Sequence, residues 1–390
     1  MSQNAVAGDS GIKKLMDDPV TRAILKAGEG GLAGKPFTHG PWETLAEAAR
    51  KKYGEAADLT AAAVRERVRD LTRAGQVRYS RWILETGKLV GKTNTALVAL
   101  AVGPGEIDRA ADILTRHPGV SHCYLRGDKG YNVWFTLAVP PAWSLEATAG
   151  KLRDLSGAGG VRVLFAERML KIQVAHTAAA EKKAGAITDS EPDVVQPDSE
   201  GTELSAEEER CLEILWEPID FSEGSPEAES AEPYAVRARA ASVDPKRFEE
   251  VISGLYQKKI LRRFSVILNH RNAGISANGM CQWDVADEHI DALADLIPKF
   301  AAVTHAYIRT RYEDIPYRLY AMLHGPSLDW IKERKDAIDE AAAKSGVPIR
   351  TSRVLISGKE LGMKPPCPVP SVHRAWFSKH DPAGSCRKRG

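Results

Sequence analysis

The sequence lacks paired cysteines, a dominant charge and any long apolar run, and each absence removes a class of protein. Its five cysteines, Cys123, Cys211, Cys281, Cys367 and Cys386, form no CxxC pair, which argues against a zinc ribbon or a dense disulfide framework. A reducing cytoplasm is the expected compartment. Lys plus Arg number 54 against 52 Asp plus Glu, a formal charge of +2, so the whole chain makes no case for nucleic acid or an anionic membrane surface. If positive charge matters, it must be local. The opening MSQNAVAGDSGIKKLMDDP has no basic start followed by an apolar core, and no later stretch approaches the ~20 apolar residues of a membrane span. The protein is therefore expected to be neither exported nor inserted in a membrane.

What is present is ample core material and a repeat. In 390 residues, 43% are AVILMFWYC, enough for two or more packed cores. Residues 77–91 read VRYSRWILETGKLVG, followed by TNTALVALAV, a helix-like segment through Leu114, and HPGVSHCYLRGDKGYNVWFTLAVP. Residues 261–274 read LRRFSVILNHRNAG, followed by ISANGMCQWDV, a helix-like segment through Ile297, and KFAAVTHAYIRTRYEDIPYRLYAMLHG. Ile83 and Leu84 match Ile267 and Leu268 at a spacing of 184, and His122, Tyr124 and Arg126 match His305, Tyr307 and Arg309 at 183. Tyr131 and Trp134 match Tyr317 and Tyr320 at 186, which places a small insertion in the second copy around Glu313, Asp314 and Ile315.

Each copy reads as helices, a β wing, and then strand-helix-strand-strand-helix-strand. Leu45, Ala48 and Ala49 mark one helix, and Val64, Val68 and Leu71 another that ends near Gly75; Cys211, Leu212 and Leu215, then Phe248, Val251, Ile252 and Leu255, mark their counterparts. Helix-turn-helix modules have this arrangement, and the remainder has the βαββαβ order of a ferredoxin-like domain. The expected fold is α+β: two tandem copies of a winged helix-turn-helix plus a ferredoxin-like domain, packed as a pseudo-dimer. The expected bounds are N-terminal helices and a first winged helix-turn-helix over 1–85, a first ferredoxin-like domain over 86–176 and a linker over 177–203. A second winged helix-turn-helix over 204–268, a second ferredoxin-like domain over 269–362 and an irregular tail over 363–390 complete the chain.

The strands that carry His-x-Tyr-x-Arg hold the strongest functional signal. Alternate residues of a strand share a face, so each copy is expected to present an imidazole, a phenol and a guanidinium together: His122, Tyr124 and Arg126, and His305, Tyr307 and Arg309. Arg binds carboxylates bidentately, and His moves protons near neutral pH or ligates a metal. Ordinary surface ion pairs are the simpler explanation of one such strand, and repetition counts against it. The wings add Arg78 and Arg81 in the first copy and Arg262, Arg263, His270 and Arg271 in the second. Period two puts Trp134 on one face and Tyr131 with Phe135 on the other, more in keeping with core packing than with a ligand platform. Aromatic walls with a cationic rim would nonetheless suit a flat macrocycle.

The wing RRFSVILNHRNAG, the strands VSHCYLR and VTHAYIR, and the phrases YNVWFTL and PYRLYAMLHG resemble the siroheme decarboxylases, over roughly 40–175 and 205–360. The resemblance implies an AsnC/Lrp-like architecture acting as an enzyme, a carboxy-lyase that converts siroheme to 12,18-didecarboxysiroheme with release of two carbon dioxide molecules in heme or heme d1-type biosynthesis. It implies no cofactor beyond the iron of the substrate and no protein metal site. The related subunits usually pair as a heterodimer, so the chain looks like a fusion that forms an intramolecular pseudo-heterodimer, with a further homodimer open. Catalytic roles would fall to His270, His305 and His122. Substrate binding would fall to Tyr124, Arg126, Arg262, Arg263, Arg271, Tyr307, Arg309 and Tyr317. The first wing departs from the pattern, with Tyr79 where Arg263 stands and Thr86 where His270 stands.

The competing reading is an AsnC/Lrp-type transcription regulator that binds DNA through the second helix of its helix-turn-helix and a small ligand through the sheet. Glu66 and Asp70 interrupt Arg65, Arg67, Arg69 and Arg73, and Glu249 and Glu250 follow Lys246 and Arg247. Carboxylates on a DNA-facing helix oppose phosphate, so nucleic acid is the less favoured partner.

Overall fold

The computed structural model describes residues 17–29, 40–54, 58–91, 94–127, 130–172, 202–230, 233–268 and 277–388. The principal elements of the first copy are α1 (Pro19–Glu29), α2 (Pro41–Lys52), α3 (Ala61–Arg73), β1 (Val77–Leu84), β2 (Thr95–Ala101), α4 (Ile107–Arg116), β3 (Val120–Arg126), β4 (Val133–Ala138), α5 (Leu145–Ser156) and β5 (Gly160–Ile172). The second copy supplies α6 (Ala206–Trp216), α7 (Pro233–Ala240), α8 (Pro245–Gln257), β6 (Leu261–Leu268), β7 (Ala277–Val285), α9 (Ile290–Leu296), β8 (Val303–Arg309), β9 (Leu319–Gly325), α10 (Leu328–Lys344) and β10 (Ile349–Gly362). A last helix, α11 (Pro370–His380), follows.

Local chemistry sets the ends of these helices. The Thr60 hydroxyl accepts from the Ala63 amide ahead of α3, and Ser205 with Glu208 forms a reciprocal capping box at α6. Gly157 ends α5 with φ 71°, a left-handed conformation that costs glycine little.

The described residues form two compact units, and each draws on both copies. One takes Met1–Leu89 with Glu203–Ala273, the other Val90–Thr202 with Gly274–Gly390. The expected linker at 177–203 lies outside the described residues except for its last two positions.

In the helical unit β1 and β6 pair antiparallel with each other, with Trp82 opposite Phe264. Each wing is thus a single strand completed by the other copy. Val64, Val68 and Leu71 of α3 and Phe248, Val251, Ile252 and Leu255 of α8 are buried, as their 3.6-residue spacing predicts. The arginines of these helices are occupied within the unit. Arg65 donates to the Ala228 and Ser230 carbonyls at 3.1 and 2.8 Å, Arg67 pairs with Asp18, Arg69 with Asp70, and Arg73 donates to the Phe221 carbonyl at 3.0 Å. On α8, Arg247 bridges Glu207 and Glu250 at 2.8 and 3.1 Å. Arg81 of the first wing is buried against the Trp216 ring at 3.7 Å.

The second unit is a closed eight-stranded barrel in the order β10-β3-β4-β2-β5-β8-β9-β7. Each copy contributes the 2-3-1-4 strand order of a ferredoxin-like sheet, and the two sheets join edge to edge. The joints depend on length. β5 has 13 residues and pairs first with β2, then from Ala166 onward with β8; β10 has 14 and pairs first with β7, then from Ser357 with β3. A strand of 13 residues spans ~40 Å, about twice a typical strand, so one strand can serve two sheets. Closure leaves no unpaired edge.

The barrel separates three cores. Outward residues of the first sheet, including Val98, Leu100, Cys123 and Phe135, pack on Leu114 of α4 and Leu152 of α5. Those of the second, including Cys281, Trp283, Ala306 and Ile308, pack on Leu293 of α9 and Ile338 of α10. The inward residues Ala99, Trp134, Leu164, Met280, Tyr320 and Leu355 form a third cluster drawn from both copies.

The tail is not irregular. α11 starts with proline at its first position, and His373, Trp376 and Phe377 are buried on one face against the first sheet's core. Their i, i+3, i+4 spacing was the available signal; the prolines of KPPCPVP, which precede the helix, obscured it.

A candidate active site inside the strand barrel

Five of the residues singled out from the sequence lie in the barrel unit on the face opposite the helices. Cys123 and Leu125 of β3 pack outward with the first core, which turns Tyr124 and Arg126 inward; Ala306 and Ile308 of β8 do the same for Tyr307 and Arg309. Tyr317, at the end of the loop after β8, packs against the inward cluster.

The two arginines are held by matched contacts across the joints. Arg126 Nη1 donates to the Leu355 carbonyl at 2.9 Å, and Arg309 Nη1 donates to the Leu164 carbonyl at 3.0 Å. Arg126 lies 5.3 Å from the Tyr124 ring, and Arg309 lies 4.5 Å from Tyr307 and 5.9 Å from Tyr320. Neither guanidinium has a carboxylate partner among the described residues, and the Nε of each makes no hydrogen bond. Burial lowers both pKa values, that of Arg126 to about 10, and a guanidinium is basic enough to stay cationic at neutral pH even when buried. An uncompensated buried ion costs on the order of several kcal/mol, a cost that an anionic ligand offsets.

The histidines sit where the strands are irregular. His122 is exposed at a bulge with φ 49°, and its Nδ1 lies 3.0 Å from the Ser121 hydroxyl. The bulge breaks the alternation that would have put it beside Tyr124. His305 occupies the matching bulge in β8 and is half-buried. The Thr304 hydroxyl donates to the Met322 carbonyl at 3.1 Å, which leaves it to accept from Nδ1 of His305 at 3.0 Å and of His324 at 3.1 Å.

Sequence reasoning missed two further arginines. Arg162 of β5 and Arg353 of β10 stand two residues before the matched Leu164 and Leu355, within the repeated phrases VRVLF and SRVLI. Arg162 binds Asp314 bidentately at 3.0 and 2.7 Å, and the Tyr131 hydroxyl donates to the same carboxylate at 3.0 Å. This pair holds Asp314 below the usual carboxylate range. Arg353 Nε donates to the Gln282 amide oxygen at 2.7 Å and lies 4.5 Å from the Tyr317 ring. Tyr131 also packs with Trp134 rather than with Phe135, because it precedes β4 and the alternation does not reach it.

Arg262 and Arg263 lie on β6 in the helical unit, where Arg262 approaches Glu85 at 3.5 Å and Arg263 is half-buried with its pKa lowered by desolvation. His270 and Arg271 lie outside the described residues. Among the described residues no group of His, Cys, Asp and Glu side chains is arranged to hold a metal ion, and no helix is long and apolar enough to cross a membrane.

Comparison with known proteins agrees with this architecture. The family model described as an AsnC-like ligand binding domain matches residues 89–171 and again 272–361, the two halves of the barrel. The siroheme decarboxylase of Hydrogenobacter thermophilus is 31% identical over 281 residues, 71% of this chain and 78% of that protein. The siroheme decarboxylase beta subunit of Methanosarcina barkeri is 36% identical over 92 residues, 24% of this chain and 60% of its own length. The crystal structure of the siroheme decarboxylase NirDL in complex with an iron-uroporphyrin III analogue superposes with a TM-score of 0.64 at 23% identity, covering 93% of this chain and 99% of that one. With this extent of shared sequence and a duplicated barrel built in the same way, the chain belongs to the siroheme decarboxylase family.

Proposed function

We propose that this protein removes two acetate carboxyls from siroheme as carbon dioxide, giving 12,18-didecarboxysiroheme for heme or heme d1-type synthesis. The observation that carries this reading is the pair Arg126 and Arg309: two buried guanidiniums without carboxylate partners, stacked on tyrosines inside a barrel that both copies line. Aromatic walls suit a planar macrocycle and fixed cations suit its many carboxylates. The relative solved with an iron-uroporphyrin III analogue has the same fold.

In this reading the arginines bind the carboxylates that do not react and fix the ring in register. The reacting acetate is left without a cationic partner, so that loss of its charge as neutral carbon dioxide is favoured. Electron density left on the former acetate carbon is delocalised by the ring, and a protonated histidine returns a proton to that carbon. His305 is the proton donor: its Nδ1 is fixed by Thr304, and it lies on the strand beside Tyr320. His122 serves the same chemistry less directly. The iron of siroheme is part of the substrate, no other cofactor takes part, and the two copies act as the subunits of a pseudo-heterodimer.

Anaerobic incubation with siroheme, followed by mass spectrometry of the recovered tetrapyrrole, tests the proposal. A product lighter by two carbon dioxide units is expected; recovery of unchanged siroheme overturns it. The regulator reading loses support because Arg65, Arg67, Arg69, Arg73 and Arg247 are engaged within the helical unit.

A further inference from the structure

The two copies build matched walls inside the barrel, and the walls are chemically opposite. Strand register gives the correspondence. Arg126 faces Ser357 as Arg309 faces Ala166, Gln282 faces Arg353 as Ala99 faces Arg162, and Tyr320 faces Gln282 as Trp134 faces Ala99. One wall therefore carries Ser357, Gln282 and Tyr320 where the other carries Ala166, Ala99 and Trp134.

The polar wall has donors without acceptors. Gln282 is fully buried and Tyr320 is 3% exposed, yet the Gln282 Nε2, the Tyr320 hydroxyl, the Ser357 hydroxyl and Arg126 Nε make no hydrogen bond. Burying such groups unpaired costs free energy unless a ligand supplies the acceptor. Gln282 Nε2 and Arg126 Nε can only donate and the two hydroxyls can donate, so an acceptor-rich group beside the Arg126 charge, such as a carboxylate, satisfies all four. The apolar wall, by contrast, is already filled. Arg309, opposite Ala166, keeps an unbonded Nε as Arg126 does, but Arg162 already holds Asp314 in the bidentate geometry a substrate carboxylate would take, and Ile315 from the same loop is buried in the inward cluster with Trp134, Leu164 and Tyr320. The loop is fastened to β5 by reciprocal bonds between Thr310 and Phe165 at 3.0 and 3.1 Å, and the Tyr312 hydroxyl donates to the Val163 carbonyl at 2.8 Å. The first copy's loop, between Arg126 and Tyr131, is three residues shorter than the loop between Arg309 and Tyr317.

We propose that the Gln282, Tyr320, Ser357 and Arg126 wall is the subsite that holds the peripheral carboxylates of the macrocycle, and that Asp314 with Ile315 closes the matched wall, so the chain has one tetrapyrrole site. This rests on the proposed macrocyclic substrate but not on its decarboxylation.

Titration with iron uroporphyrin III, followed by its Soret absorbance, reads the subsite without turnover. One equivalent per chain is expected. Gln282→Leu and Tyr320→Phe are each expected to weaken the dissociation constant about tenfold or more, the usual effect of losing a hydrogen bond to a charged group. Asp314→Asn should stay within about twofold of the parent. Tyr320→Phe removes a donor that is unpaired without ligand, so the melting temperature of that unliganded variant should hold or rise, whereas Gln282→Leu also removes the amide oxygen that accepts from Arg353 Nε and is read by affinity alone. Two equivalents per chain, or unchanged affinity in both variants, overturns the proposal. So does weaker binding accompanied by a lower melting temperature in Tyr320→Phe, since that marks a structural role. Tight single-site binding through this wall with siroheme recovered unchanged in mass leaves the subsite standing and removes the decarboxylase reading alone.

Discussion

Arg126 of the first copy donates to the backbone carbonyl of Leu355 in the second, 229 residues away in the chain, at 2.9 Å. The bond crosses the joint between β3 and β10, so the guanidinium that faces the barrel interior is positioned by the contact that closes the barrel. Replacing Arg126 by Met should therefore separate two effects. Turnover should fall at least tenfold, while the urea midpoint should hold or rise, because a buried cation gives way to an apolar chain of similar length. Steady-state decarboxylation and urea unfolding of the same variant check this, and a loss of stability without loss of turnover contradicts it.

The two repeated histidines should not be equivalent. His305 pairs with Met322 and the next inward residue, Tyr307, pairs with Tyr320, so His305 borders the polar wall. Near His122, Ser121 pairs with Thr136 and Tyr124 with Trp134, on the wall that Asp314 and Ile315 close. His305→Ala is expected to lower turnover at least tenfold more than His122→Ala, and far more than Tyr53→Phe in the helical unit. Equal losses in the two histidine variants would contradict the assignment.

Acid should destabilise the barrel unit through a buried histidine pair. His117 and His373 are both fully buried, with ring centroids 5.5 Å apart. Desolvation lowers His373 from 6.5 to about 4 and holds His117 well below its ordinary value; His373 Nε2 donates to the Cys367 carbonyl at 2.7 Å, and Lys364 adds repulsion. Both rings are neutral when folded, so the unfolded chain binds more protons below its own histidine pKa. Stability is then complete above about pH 6.5 and declines as pH falls toward 4, by roughly 2 kcal/mol at pH 5 from His373 alone. Urea midpoints at pH 7 and pH 5 measure the slope, and a flat profile refutes it.

The last helix should be part of the fold's stability. Trp376 packs with the first sheet's core and stacks on His380 with centroids 4.4 Å apart. Trp376→Ala should cost about 3 to 5 kcal/mol in urea unfolding. A cost near zero would mean that α11 does not dock in solution.

Duplex DNA should bind weakly and without a steep salt dependence. The α3 arginines already meet carbonyls and Asp18, so Arg65→Ala is expected to lower the melting temperature and leave DNA retention in an electrophoretic shift unchanged. A sharp loss of DNA binding in that variant would revive the regulator reading.

The amino-acid sequence by itself determined the duplication, the βαββαβ order within each copy and the inward Tyr124, Arg126, Tyr307 and Arg309, because each depends on local periodicity and on a motif that recurs at a near-constant spacing. Tertiary structure decided what those residues face. Gln282, Tyr320 and Ser357 come from three strands, and each reads in sequence as a lone polar or aromatic interruption of an apolar run; only strand register makes them one wall. The edge-to-edge joints and the Asp314 plug likewise join residues more than a hundred positions apart. Such pairings follow from which strand edges are left to close a barrel, and no local pattern encodes that.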